Sequence, residues 1–160
     1  MYLNTRLLPQ EPEEVSIARI LLSLQNILEL ELEKAIRQFT KRNASDQNNA
    51  FLKKMENGFV SFKTKFEWAH SKRLLTKREY DVMEEIRKIR NKQTHFRPTN
   101  RRVKYKYFKH PLITRQALIA LFTDVNDAVL KLSKISGSRE KWQVIPPGYA
   151  EEMGWYKTKK

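Results

Sequence analysis

Apolar residues at alternating intervals of three and four recur through most of this chain, and that spacing restricts it to helices. Over 13–42 they fall at Ile17, Ile20, Leu21, Leu24, Ile27, Leu28, Leu32, Ala35, Ile36 and Phe39. A turn of 3.6 residues brings such positions to one face, so a long amphipathic helix is predicted. Acids at its start and Lys34, Arg37, Lys41 and Arg42 near its end match the helix macrodipole. A polar break follows at 43–49, where Ser45 or Asp46 suits an N-cap. Over 47–70, Leu52, Met55, Phe59, Phe62, Phe66 and Ala69 predict a second helix running through Gly58. Thr76 with Glu79 makes a capping box for a third, whose seam continues through Val82, Ile86, Ile89, Gln93 and Phe96. Pro98 ends it near Phe96 or Arg97. Thr114 opens a fourth, lined by Leu118, Leu121, Phe122, Val125, Val129 and Leu132, and Gly137 closes it.

The expected fold is therefore all-α: an up-and-down four-helix bundle over 1–137, with a basic loop between the third and fourth helices. In that loop Val103, Tyr105 and Tyr107 alternate with Lys104 and Lys106, which suits a short extended segment. The remainder, 138–160, is an aromatic C-terminal tail carrying Trp142, Tyr149, Trp155 and Tyr156, expected to pack on the bundle or on a partner. A chain of 160 residues can bury one core without disulfides or metals.

Composition removes several function classes. There is no cysteine, so a disulfide scaffold, a Cys-based zinc site and a thiol nucleophile are excluded. The three histidines, His70, His95 and His110, stand too far apart for the short spacing of a histidine metal site, and no metal or cofactor is expected. The N-terminus lacks the apolar stretch of a signal peptide, and no apolar run approaches the roughly 18 residues of a membrane helix. A cytoplasmic protein with no membrane partner is the expectation. Lys and Arg number 32 against 18 Asp and Glu, and the resulting charge of +14 favours a polyanionic partner, with nucleic acid ahead of a membrane surface.

The stretch 86–95, IRKIRNKQTH, lies in the most basic part of the chain, for 86–123 holds eleven Lys or Arg and no acid. With Ile89 taken as the centre of the buried face, Arg90 falls about 100° to one side, Asn91 about 160° to the other and His95 about 120° to that same other side. All three then occupy the outer arc. One helix makes a wide site of them, and two copies across a two-fold axis would make a tight one. Cleaving RNA without a metal takes a base for the 2′-hydroxyl, an acid for the leaving 5′-oxygen and a cation for the phosphorane. Histidine supplies either proton transfer near neutral pH. Arginine presents a bidentate fork to phosphate oxygens, and Asn91 suits orienting His95 or holding the phosphate.

RNKQTH resembles the motif of the HEPN superfamily, in which Arg is followed by a polar residue, usually Asn, His or Asp, and four to six positions separate Arg from His. The segment before it, FEWAHSKRLLTKREYDVMEEIRKIRNKQTHF, is similar to the helix, turn, helix arrangement of that superfamily, including its mannitol operon repressor-like branch. The resemblance covers 51–96 and the four-helix outline around it. It implies a homodimer whose paired motifs form a metal-independent endoribonuclease, as in toxins and antiphage effectors, with Arg90 and His95 catalytic and Asn91 supporting them. Toxins paired with nucleotidyltransferase antitoxins carry Tyr two positions after the His, where this chain has Arg97. Members of the repressor-like branch also occur without nuclease activity.

Arg97, Arg101, Arg102, Lys104, Lys106, Lys109 and Arg115 follow the motif, interleaved with Tyr105, Tyr107 and Phe108. Aromatics stack unpaired bases while cations follow the backbone, so the loop suits single-stranded RNA, against the alternative of a solvated loop with its tyrosines packed inward. His70 is expected to close the second helix, and His110 to be a loop residue within reach of phosphate. Three functions are compatible with these residues: an RNase regulated by an antitoxin or other protein, a non-catalytic nucleic-acid-binding regulator or adaptor, and a structural bundle that recruits a partner through its tail.

Overall fold

The computed structural model describes residues 14–94 and 115–138, with side chains over 21–91 and 120–138. Within that range the chain is all-helical, with α1 (Glu14–Arg42), α2 (Asp46–Glu56), α3 (Phe62–Ser71), α4 (Lys77–Thr94) and α5 (Arg115–Ser136), and no strand. No described helix is long and apolar enough to cross a membrane.

α1 is the central element. It packs most extensively on α5, then on α4, and also meets α3 and α2, while α4 touches both α3 and α5. The predicted stripe explains this: Leu21, Leu24, Ile27, Leu28, Leu32, Ala35 and Ile36 are all buried, in one cluster with Phe66, Met83, Ile86, Ile89, Phe122 and Val129. Phe39 is half-buried at its edge.

Where one continuous helix was predicted over 47–70, there are two, so the described residues hold five helices rather than four. Gly58 is the cause. Its φ of +77° is left-handed, the Gly58 N–H donates to Met55 O and the Phe59 N–H to Lys54 O, each at 3.1 Å. That pair of bonds is the Schellman stop, which a glycine adopts without steric cost. Ser61 then starts α3, its Oγ accepting from the Thr64 N–H at 3.2 Å. The break turns Phe59 outward, 82% exposed, although its spacing had assigned it to the seam.

The other ends follow their local chemistry. Ser45, rather than Asp46, caps α2, its Oγ accepting from the Asn48 N–H at 3.1 Å. At the start of α4 the Thr76 N–H donates to Glu79 Oε2 at 2.8 Å, the back-bond of the predicted capping box. Gly137 ends α5 at φ +67°, with the Ser138 N–H reaching Ser133 O at 3.1 Å. α3 ends the same way with Arg73 at φ +61° and the Leu74 N–H on Ala69 O at 2.9 Å.

Charged side chains tie the helices together. Lys65 of α3, nearly buried, donates to Glu29 Oε1 at 2.5 Å and Glu33 Oε1 at 2.7 Å, both on α1. Burial pulls the Lys65 ammonium down, and the two carboxylates more than offset it, holding the group above its ordinary range. Burial likewise pushes Glu79 up, but Lys131 of α5, 2.8 Å away, and the Thr76 N–H hold its carboxyl below the usual value. Glu31 of α1 is wholly buried between Lys34 Nζ at 3.0 Å and Ser133 Oγ of α5 at 3.1 Å.

Candidate functional site

α4 carries the first two residues of the expected site on its last turns. Its buried face is set by Glu79, Val82, Met83, Ile86 and Ile89. Those positions centre near Ile86, about 60° from the Ile89 assumed in placing the motif. The shift corrects Arg90, which continues the Met83, Ile86 line toward α1 instead of flanking an outer arc. Its guanidinium is half-buried, and Nη1 donates to Oε1 of Gln25 at 3.5 Å. Asn91 is exposed, as expected for a residue on the far side of the helix. The two side chains therefore diverge from neighbouring positions, one braced on α1 and one in solvent.

His95 lies outside the described residues, as do the residues of the expected basic loop, Arg97, Arg101, Arg102, Lys104, Tyr105, Lys106, Tyr107 and Lys109, together with His110 and the expected aromatic tail from 139 onward. Arg115 begins α5.

Not every cation of the acid-free stretch is uncompensated. Arg87 places Nε and Nη2 on the two Glu84 oxygens, each at 2.8 Å, and Lys88 Nζ comes within 3.6 Å of the same carboxylate. The Arg87 hydrogen bond is the main reason the Glu84 carboxyl lies below its usual range, and Glu84 in turn holds the Arg87 guanidinium above its own. An acid one turn upstream thus answers the first two of the eleven cations, because i, i+3 and i, i+4 pairs meet on a helix.

His70 has a structural setting. Its Nδ1 donates to Leu75 O at 2.9 Å across the turn from α3 to α4, and its ring sits 5.0 Å from that of Tyr80. Among the described residues no group of three or more His, Asp or Glu is arranged to hold a metal ion.

Gln25 was missed by sequence reasoning, and so were Lys65 and Glu31. The available signal was a polar residue at a seam interval: Gln25 sits between Leu21 and Leu28, and Lys65 beside Phe62 and Phe66. Such a position is occupied at a desolvation cost unless a partner across the interface accepts it. Compared with family models, with curated proteins and with solved structures, the chain matches none of them.

Proposed function

We propose that this chain is a metal-independent endoribonuclease of HEPN type, a four-helix up-and-down domain in essence, working as a homodimer in the cytoplasm as a toxin or antiphage effector. The observation that carries the reading is Arg90 and Asn91 on the last turns of α4, followed four positions after Asn91 by His95, at the head of a chain segment with eleven cations and no acid. His95 takes the proton of the ribose 2′-hydroxyl, the 2′-oxygen bonds to phosphorus, and the phosphorus–O5′ bond breaks as the partner subunit's His95 protonates the leaving oxygen. Arg90 neutralises charge on the phosphorane oxygens, and its brace on Gln25 limits the freedom it must lose to do so. The basic loop from Arg97 to Lys109 holds the single strand. The products are a 2′,3′-cyclic phosphate and a 5′-hydroxyl.

RNA incubated with the protein in EDTA tests this, beside His95→Ala and Arg90→Ala. Cleavage to cyclic-phosphate ends by the parent, lost in both variants, is the expected result; equal cleavage by all three rejects the site.

A second reading, a non-catalytic nucleic-acid-binding regulator or adaptor, draws on the contact between Arg90 and Gln25, which gives Arg90 a part in helix packing. It requires salt-sensitive binding that survives His95→Ala, with no cleavage by any form.

A further inference from the structure

Phe59 stands apart from every other large apolar side chain in the described structure. It is 82% exposed, whereas the other exposed large apolar residues, Leu22, Leu30 and Leu130, lie between 40% and 43%. Its backbone is pinned on both sides, by the Phe59 N–H to Lys54 O bond before it and the Ser61 cap after it, so the ring is presented from a fixed turn. The fold does not call on that ring: Val60, the next residue, is the one that packs on the core.

The surroundings are cationic. Lys53 and Lys54, on the last turn of α2, are exposed and have no ion-pair partner among the described residues. Glu56, the acid nearest to them in the chain, is engaged by Arg37 Nε at 3.2 Å. Lys63, four residues after Phe59, pairs with Glu67 at 3.5 Å, with both side chains about half exposed. A flat apolar face, held by its own N–H to the helix end that carries Lys53 and Lys54, matches two features of one ligand class: the stacking surface of an unpaired base and its flanking phosphates. An apolar protein partner would use the ring but leave the lysines unanswered.

We infer that the turn between α2 and α3 is a second contact point for single-stranded RNA, with Phe59 stacking an unpaired base while Lys53 and Lys54 meet the phosphates beside it. This rests on RNA being the substrate, and it places a contact on elements remote in sequence from the basic loop.

The test is fluorescence anisotropy with a labelled oligouridylate and with duplex RNA, in a His95→Ala background so that no cleavage intervenes. Phe59→Leu is expected to weaken oligouridylate binding about fivefold or more and to leave duplex binding and thermal unfolding unchanged, while Phe59→Trp binds at least as tightly as the parent. Replacing Lys53 and Lys54 with Ala should lower the salt slope by about 0.7 per lost phosphate contact. Oligouridylate binding unchanged in Phe59→Leu overturns the inference, as does tighter binding of oligothymidylate, or a Phe59-dependent self-association with RNA affinity intact. A parent that binds no single-stranded RNA removes this inference and the substrate reading together. Phe59-dependent binding by a chain that cleaves nothing leaves the contact standing and removes the nuclease alone.

Discussion

The Arg90 guanidinium of α4 reaches across the helix seam to Gln25 of α1, Nη1 to Oε1 at 3.5 Å, so the cation of the proposed site is oriented by a buried amide on another helix. Gln25→Leu removes the acceptor and keeps the volume. Cleavage is expected to fall about tenfold, chiefly in kcat, whereas Arg90→Ala costs about a hundredfold. The stability change for Gln25→Leu should stay near 1 kcal/mol, one hydrogen bond's worth. Initial rates in EDTA beside urea unfolding separate the two effects, and unchanged rates in Gln25→Leu would dismiss a positioning role.

Lys65 holds two carboxylates of α1, Glu29 and Glu33, the second of which also meets Arg37 Nη2 at 3.5 Å. Lys65→Ala is expected to destabilise by about 3 kcal/mol, the low end for a broken buried pair because Glu29 and Glu33 keep about a quarter of their side-chain surface. Converting Lys65 to Met together with Glu29→Gln and Glu33→Gln should cost less than the single change. The ammonium is raised above 10.5, so its contribution is complete below that pH and is lost as pH climbs through the folded value. Alkaline unfolding curves of parent and Lys65→Met should converge there.

Glu79 has the opposite sign. Its carboxyl is lowered from 4.5, so the bonds from Lys131 and Thr76 stabilise fully above that pH and fade as pH falls through the folded value. Glu79→Gln should cost about 1 kcal/mol at neutral pH, the scale of a helix cap, and almost nothing in strong acid. Denaturant midpoints measured across that range give the difference directly.

Two helix stops make a matched pair. Nothing lies within 4 Å of a Cβ added at Gly58, so Gly58→Ala should cost about 1–2 kcal/mol from its left-handed φ alone. Arg73 already bears such a φ without being glycine, and Arg73→Gly should stabilise by up to about 1 kcal/mol. Chemical denaturation of both variants tests the attribution, since a packing effect would not give opposite signs.

The stripe of α1 from Leu21 to Ile36, the Thr76 and Glu79 box, and the Gly137 stop were legible in the residues, because each depends on neighbours within a turn or two. Phe59 was misplaced for the same reason. Its interval obeys the seam, and a left-handed glycine one residue earlier redirects the chain at an energy the periodicity does not contain. At the candidate site, the sequence located Arg90 and Asn91 on α4 and left Asn91 correctly in solvent. The rotation of α4 about its axis was another matter, for Met83 and Glu79 share in burial with Ile89 and bring Arg90 inward.

By itself, then, the order of residues determined the helical character of the described chain, most of its core faces, the Thr76 and Glu79 box, the Gly137 stop and the position of its basic segment, all consequences of spacing and local hydrogen bonding. Only the tertiary structure decided which polar side chains at seam positions found partners, Arg90 on Gln25, Lys65 on Glu29 and Glu33, Glu31 on Ser133. Such partners lie tens of residues away, and they meet only once burial of the surrounding apolar surface has set each helix's rotation against α1.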